Sequence, residues 1–178
     1  MSSRLEWLGS LPLEEAEAQL LSCCASRQWV RKMVANRPYA DEASLLAAAV
    51  DGVRELGWAD VEEALSAHPR IGERAEAARR EGMSAEDAQR EAQWSRQEQS
   101  DAATADDAVK AELVARNLAY EERFGHVFLI RATGRSATEI LTALHRRLHN
   151  SVEEERVEVR AELADITVLR IRKLLGLL

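Results

Sequence analysis

Two short polar motifs contain residue types that can carry out acid–base chemistry. The first is the segment His68-Pro69-Arg70-Ile71-Gly72. Histidine titrates near neutral pH, so His68 can give or take a proton or bind an anion. Pro69 fixes its own φ and Gly72 permits close backbone approach, so the segment is predicted to hold the histidine at a break between helices. The alternative interpretation is a loop histidine followed by a structural turn.

The second motif lies on a predicted polar helix that contains Trp94. Ser95 and Glu98 are three residues apart, and Ser95 and Gln99 are four apart, so each pair shares a helix face. A hydroxyl, a carboxylate and an amide on one face can hydrogen-bond a ring that is rich in N–H and C=O groups. Trp94 is expected to anchor this helix in the core. The alternative is the solvated surface of an amphipathic helix.

An apolar run at residues 127–130 resembles a β-strand in composition. A single strand has no partner for its backbone groups. We therefore expect an extended connector, continuing to residue 132, whose N–H and C=O groups can bind a small polar ligand. A buried connector without a ligand is the alternative.

Two arginines near the end of the chain, Arg170 and Arg172, point to different faces of one predicted helix. At most one of them should face a given pocket. A guanidinium group suits a carboxylate because its donors form a planar fork. Surface arginines on a terminal helix are the commoner case.

Two further groups of residues are not expected to be functional. His145 and His149 are four apart, a spacing that can bind a metal, but no His-Glu-x-x-His motif accompanies them, so no metal site is predicted. Cys23 and Cys24 are adjacent in an apolar segment, which indicates packing rather than a nucleophile. Neighbouring cysteines are also poorly placed for an intrachain disulfide, which fits a reducing compartment.

The composition predicts the elements that must position these residues. The chain has 178 residues, 46% of them apolar, with only 8 Gly and 3 Pro, which favours an all-α, single-domain fold over residues 1–178. The net charge of −7 opposes binding to nucleic acid. The sequence shows neither a membrane-spanning stretch nor a secretory signal, and its last residues differ from a peroxisomal Ser-Lys-Leu signal, so a cytoplasmic protein is expected.

Helical spacing and capping residues predict seven to nine helices. Gly57 is predicted to end the second helix, and Ser84, Ser136 and Ser151 to cap later ones. The predicted ranges are residues 13–35, 41–56, 60–66, 73–81, 85–99, 106–123 and two final helices that begin near 136 and 151.

The chain resembles the 2-oxo-4-hydroxy-4-carboxy-5-ureidoimidazoline (OHCU) decarboxylase family over nearly its whole length. His-Pro-x-Ile-Gly followed by Ser-x-x-Glu-Gln is more specific than either motif alone. Val127 is a departure, because the family often has proline there. Further matching segments are residues 21–30, 36–39, 117–125, 128–132, 147–150 and 169–171.

The resemblance implies an all-α enzyme without cofactor or metal, in which His68 and Glu98 are catalytic. It also implies a small ureidoimidazoline substrate, and a homodimer is expected because family members are often dimers. Substrate contacts are implied at Pro69, Ser95, Gln99, the backbone of Leu129, Ile130, Arg131 and Ala132, and Arg170, with Arg172 as the alternative arginine.

The implied reaction is the loss of CO2 to give (S)-allantoin. The ring can delocalise the remaining electron pair as an enolate, so no electron-sink cofactor is required. Fixed donors in a water-poor pocket stabilise the developing charge. By hypothesis, His68 interacts with the departing carboxylate and the neighbouring hydroxyl, and Glu98 binds ring or ureido N–H groups. Arg170 either balances substrate charge or orders the pocket.

Three other interpretations stay open. A helical transcription regulator needs a basic helix, but residues 146–160 are diluted by four glutamates. A non-catalytic helical interaction module would explain the amphipathic helices. It would not explain why the two motifs together contain His68, Ser95, Glu98 and Gln99. A paralogue that decarboxylates another ureido acid would use the same framing residues.

Overall fold

The computed structural model describes residues 3–72, 83–102 and 105–178, and within them the chain forms nine α-helices and no strand. The all-α prediction is thereby confirmed, whereas the helix predicted over residues 73–81 lies outside the described residues. The helices are α1 (Ser3–Ser10), α2 (Leu13–Leu21), α3 (Arg27–Ala35), α4 (Glu42–Arg54), α5 (Trp58–Leu65), α6 (Ala85–Glu98), α7 (Asp107–Phe124), α8 (Ala137–Arg147) and α9 (Val152–Leu174).

Side-chain caps begin the later helices where the sequence predicts them. The Ser84 hydroxyl accepts from the N–H of Asp87 at the start of α6. Ser136 and Ser151 each form a capping box, in which the serine and a glutamate three residues later satisfy each other's backbone N–H. These contacts are local, so the residue types alone are enough to place the helix starts.

The prediction of one helix over residues 13–35 is wrong. The chain leaves the helix after Leu21, and the N–H groups of Cys23 and Cys24 both donate to the Leu20 carbonyl, at 2.9 and 3.1 Å. The Ser26 hydroxyl then accepts from the N–H of Trp29 at 3.2 Å and caps a new helix. Serine competes with the helix for backbone hydrogen bonds, which explains the break.

An additional helix and the role of Gly57 also differ from the prediction. Helix α1 is additional, and its buried Leu5 and Leu8 pack into the core. Gly57 does not end α4, which closes at Arg54; it is the N-cap residue of α5, which therefore starts at Trp58.

Two hydrophobic clusters form the interior. The first joins α1 to α5 with α9, and α4 packs along α9. The second lies between α7 and α8. Residues from other parts of the chain also belong to these clusters. Trp94 of α6 lies in the first, and Ile71 and Ala102 lie in the second.

Residues 127–132 lie between α7 and α8 and form neither helix nor strand, and we call them the connector. Leu129 packs in the first cluster, whereas Phe128, Ile130 and Ala132 pack in the second. Alternation of side chains between two sides is typical of extended backbone. The expected extended connector is therefore present, and it lies between the two clusters.

No helix in the described parts of the chain is both long and apolar enough to cross a membrane.

Candidate active site

A buried ion pair links α6 to α9. The Nε and Nη2 atoms of Arg170 donate to the two carboxylate oxygens of Glu98, each at 3.0 Å. Nη2 also donates to the Ser95 hydroxyl oxygen at 3.1 Å. All three residues are at least 92% buried. The contact fixes the plane of the carboxylate, because both of its oxygens face a rigid guanidinium fork.

Two further groups complete the surroundings of this pair. Nη1 of Arg170 donates to the Ser22 carbonyl at 3.3 Å, at the C-terminal end of α2, where the helix dipole favours a cation. The Lys173 ammonium lies 3.8 Å from Glu98 Oε1. The buried carboxylate is thus compensated by two cations, as a buried charge requires.

The pKa directions agree with this geometry. Burial is the largest influence on Arg170 and by itself would lower its pKa, but the charge of Glu98, the hydrogen bonds to Glu98 and the charge of Glu91 together raise the pKa above its usual value. Burial lowers the pKa of Lys173, assisted by the Arg170 charge, and Glu98 opposes the shift only in part. Arg170 is therefore the permanent partner of Glu98.

The segment of residues 68–72 is attached to α7. The buried Asn117 amide donates to the Ile71 carbonyl at 3.1 Å, and Arg70 donates to both oxygens of Glu121 at 2.6 and 2.8 Å. Asn117 and Glu121 are four residues apart, on one face of the helix. His68 is half-buried, and its backbone N–H donates to the Leu65 carbonyl at 3.0 Å.

The two motifs predicted from the sequence meet in the structure. The N–H of Gly72 donates to the Gln99 side-chain oxygen at 3.1 Å. Gly72 closes the segment that begins at His68, and Gln99 follows Glu98 at the end of α6. This contact brings the segment of residues 68–72 to the C-terminal end of α6, the helix that carries Ser95 and Glu98.

The connector presents backbone groups beside this region. Arg147 Nη1 donates to the Leu129 carbonyl at 2.7 Å, and the N–H of Arg131 donates to Glu162 Oε2 at 2.8 Å. The N–H and C=O of Ile130, which is 3% exposed, form no hydrogen bond within the described residues. Buried backbone groups of this kind normally have partners. Ile130 therefore offers one donor and one acceptor to a ligand.

The other residues predicted to contact the substrate occupy different surroundings. Pro69 is half-buried beside His68, and the Ala132 carbonyl accepts from the N–H of Arg135 at 3.0 Å. The Arg131 side chain is exposed, so only its backbone belongs to the connector's polar edge. Arg172 is exposed too, in contrast to Arg170.

His145, on α8, and His149, in the turn after it, have different partners. His145 Nε2 lies 3.0 Å from Glu112 Oε1, and His149 Nδ1 lies 2.8 Å from the His145 carbonyl. Within the described residues, no group of three or more His, Cys, Asp or Glu side chains is placed to hold a metal. Both cysteines are free and buried, and burial raises the pKa of Cys23 to about 12 and that of Cys24 to about 11. Both thiols are therefore protonated at neutral pH.

Several contributors to the site were not predicted from the sequence, among them Lys173, Ser22 and Glu162. Lys173 follows Arg170 by three residues, and that helical spacing is a signal that could have identified it. Ser22 contributes a backbone carbonyl, so its side chain carries no signal. Glu162 accepts a backbone N–H from the connector 31 residues earlier, a contact that only the folded chain defines.

Comparisons with known proteins agree with the arrangement. The family model for OHCU decarboxylase matches residues 9–172. The uric acid degradation bifunctional protein TTL of Arabidopsis thaliana is 31% identical over 165 residues, which are 92% of this chain and 48% of that protein. The chain thus spans about half the length of this curated relative.

Two solved structures share the fold. An OHCU decarboxylase crystallised in the presence of (S)-allantoin has a TM-score of 0.73 and 28% identity, covering 89% of this chain and 98% of that one. An (S)-allantoin synthase has a TM-score of 0.68 over 96% of this chain and 53% of that one; at 18% identity it supports the fold alone. Because the family match extends over nearly the whole chain and includes both polar motifs, this chain belongs to the OHCU decarboxylase family.

Proposed function

We propose that this protein converts 2-oxo-4-hydroxy-4-carboxy-5-ureidoimidazoline to (S)-allantoin and CO2, the last step of urate degradation. The observation that carries the proposal is the contact of Gly72 with Gln99, which joins the histidine segment to the helix end that bears Glu98. Family membership and the OHCU decarboxylase crystallised with (S)-allantoin support the same reaction.

Glu98 is the fixed anionic acceptor of the site. Arg170 uses one lone pair on each carboxylate oxygen, and the remaining lone pairs can accept from ring or ureido N–H groups. Since the guanidinium is already bonded to Glu98, Ser95 and Ser22, we assign Arg170 the role of ordering the pocket.

Ser95 and Gln99 supply donors next to Glu98. The Ser95 oxygen accepts from Arg170 and the Gln99 oxygen accepts from Gly72. Within the part of the chain that the structure describes, the Ser95 hydroxyl hydrogen and the Gln99 amide hydrogens have no acceptor and can donate to a ligand. Ile130 adds a backbone N–H and C=O. Together these groups complement a flat heterocycle whose edge alternates C=O and N–H.

His68 acts on the reacting carbon. We assign it contact with the departing carboxylate and the neighbouring hydroxyl, with Pro69 restricting the backbone beside it. The bond between ring carbon and carboxylate breaks, CO2 leaves, and the electron pair is delocalised in the ring. Fixed donors stabilise that charge in a site that excludes water. Addition of a proton to one face of the ring gives a single enantiomer.

Several broader properties belong to the same proposal. The reaction needs no metal or organic cofactor, because the ring itself accepts the electron pair. The chain acts as one domain over residues 1–178, as a cytoplasmic homodimer that binds neither nucleic acid nor membrane. The resemblance to the family supports the dimer, and the net charge of −7 supports the absence of nucleic-acid binding.

The test is a coupled assay with freshly generated substrate, followed by circular dichroism in the presence of a chelator. Because the substrate also decays spontaneously to a racemate, catalysis appears as a fast signal of one hand. His68→Ala and Glu98→Ala are each expected to lower kcat by more than about 100-fold, since each removes a group that acts on the transition state.

His149→Ala is the matched control for the histidine, because His149 is exposed and should leave kcat unchanged. Normal turnover by both folded alanine variants of His68 and Glu98 would remove the assignment. Turnover of another ureido acid in place of this substrate would indicate a paralogue.

A further inference from the structure

Two charged side chains that the proposed chemistry does not use hydrogen-bond to the backbone of the connector. Arg147 of α8 donates to the Leu129 carbonyl at 2.7 Å, and Glu162 of α9 accepts from the Arg131 N–H at 2.8 Å. These two contacts lie on either side of Ile130, the residue whose own backbone groups have no partner within the described residues.

Arg147 is a rigid anchor. It is fully buried, its Nε and Nη2 donate to Glu155 Oε1 at 2.8 and 2.5 Å, and its guanidinium lies 4.5 Å from the centre of the Phe128 ring. Glu155 also accepts from the Tyr120 hydroxyl and, at 2.9 Å, from the Asn150 amide. A buried ion pair with every group satisfied has little freedom to move.

The geometry of the peptide bond determines in which direction the N–H and C=O of Ile130 point. The peptide bonds flanking Ile130 are trans, so the C=O and N–H of each unit point in opposite directions. Because Arg147 holds the Leu129 carbonyl, the Ile130 N–H points away from Arg147. Because Glu162 holds the Arg131 N–H, the Ile130 C=O points away from Glu162. In an extended residue these two groups project to the same side.

We propose that Arg147 and Glu162 are positioning residues that fix the two peptide units around Ile130, so that its N–H and C=O bind an N–H/C=O edge of the substrate as a pair. The inference rests on the proposed decarboxylase function and adds to it which side chains orient the ligand-binding backbone.

Glu162 provides the sharper test, because its side chain is 16% exposed and it contacts the backbone of the connector directly. Glu162→Ala removes the acceptor of the Arg131 N–H and is expected to raise KM about 3- to 10-fold, with a smaller change in kcat, because the lost contact aids binding of substrate and transition state alike. Glu162→Gln keeps an acceptor oxygen without the charge and is expected to restore most of the wild-type KM.

Arg135→Ala is the matched control. Arg135 Nη2 lies 3.8 Å from Glu162 Oε1, so this variant removes the ion pair and leaves the Arg131 contact intact. Its KM should equal that of the wild type. If Glu162→Gln or Arg135→Ala raises KM as much as Glu162→Ala does, the effect comes from the charge of Glu162 and not from its hydrogen bond to the connector. An unchanged KM in Glu162→Ala would overturn the inference.

Amide hydrogen exchange gives a readout that needs no turnover. The Arg131 amide should exchange about 10-fold faster in Glu162→Ala than in the wild type or Glu162→Gln, because only the alanine variant lacks its acceptor. If the wild-type protein does not turn over the substrate, the proposed function is contradicted. If the Arg131 amide exchanges at the wild-type rate in Glu162→Ala, the positioning role is contradicted.

Arg147→Lys extends the test to the second anchor. A single ammonium cannot match the fork that bonds both Glu155 and the Leu129 carbonyl, so KM is expected to rise as in Glu162→Ala. If this variant does not fold, the Glu162 variants decide the question.

Discussion

Glu98 and Arg170 carry opposite charges in a place from which water is largely excluded. A buried ion pair adds little net stability, but removal of one partner leaves an uncompensated charge. Here the pair also sets the direction of the two carboxylate oxygens. Under the proposed function, that direction determines which ligand N–H groups Glu98 can bind, so stability and activity would depend on the same contact.

Arg170→Met tests this dependence. Among the described residues, the variant leaves Glu98 with Lys173 as its remaining cationic partner, at 3.8 Å. We expect the free energy of unfolding to fall by about 3–5 kcal/mol, as measured by urea denaturation. The double variant Arg170→Met/Glu98→Gln removes both charges and should regain a large part of that loss. Under the proposed function it should still lack decarboxylase activity, because the carboxylate of Glu98 is gone.

Arg172→Met is the control, because Arg172 is exposed on the same helix and its loss should change stability by less than about 0.5 kcal/mol. Equal stabilities of Arg170→Met and Arg172→Met would show that the buried pair is not the structural unit described here.

Among the elements, α4 shows how a helix is adapted to its neighbour. Gly52 is buried in α4, and a Cβ at this position would lie 2.9 Å from Cδ1 and 3.1 Å from Nε1 of Trp29. Trp29 is fully buried, and its Nε1 donates to the Ala49 carbonyl at 3.1 Å. The glycine therefore serves close packing of α4 against α3, at the cost of helix propensity.

Gly52→Ala is expected to destabilise the protein, although alanine is the better helix former by about 1 kcal/mol. The added methyl group would displace the Trp29 ring and strain its hydrogen bond, and overpacking of this kind costs about 1–3 kcal/mol. Urea denaturation followed by tryptophan fluorescence measures the effect.

The control is Ala47→Gly on the exposed face of the same helix, which should lose about 1 kcal/mol through propensity alone. If Gly52→Ala instead stabilised the protein, the close approach to Trp29 would not constrain the sequence.

At the scale of the whole molecule, charged contacts join α8 to the N-terminal part of α9. Glu158 accepts from both terminal nitrogens of Arg146 at 2.5 and 2.7 Å, and from the Asn150 amide at 3.0 Å. The hydrogen bonds from Arg146 are the main reason that the pKa of Glu158 falls from 4.5 to about 2. Folding is thereby linked to pH.

A carboxyl with a lowered pKa stabilises the fold above its unfolded-state pKa, and this contribution is lost as pH falls from 4.5 toward 2. Glu158→Gln should therefore be less stable than the wild type at pH 7, by on the order of 1 kcal/mol because Arg146 is largely exposed. The difference should shrink across this acidic range in urea denaturation at stepped pH.

Glu153→Gln, a change at an exposed glutamate of the same helix, is the matched control and should stay within about 0.5 kcal/mol of the wild type throughout. A constant difference between wild type and Glu158→Gln from pH 6 to 3 would contradict the linkage.

Much of the fold could be predicted because its determinants are local. Ser84, Ser136 and Ser151 cap their helices through contacts within three residues, and helical periodicity gives the buried faces. The sequence does not predict the break at Ser22 to Ser26, because leucines and valines on both sides continue a helical pattern. The cap at Ser26 is equally local, but the apolar pattern of residues 13–35 outweighs it. Gly57 fits the end of a helix as well as the start of one, so its role as a cap is ambiguous in the sequence.

The residue types of the candidate site were also evident from the sequence. Ser95, Glu98 and Gln99 share a helix face by spacing alone, and the motif around His68 contains its own backbone restraints. The choice of Arg170 over Arg172 could not be derived in the same way, because it depends on which face of α9 meets α6. The structure buries Arg170 and exposes Arg172.

By itself, then, the sequence determined the helical class, most helix starts and the chemical types available for a site, since these follow from contacts between near neighbours. Tertiary structure alone decided that Arg170 binds Glu98, that Gly72 meets Gln99, and that Arg147 and Glu162 hold the connector. Those contacts join residues that are 18 to 72 positions apart, and such pairs are brought together only when the packed clusters fix the relative positions of the helices.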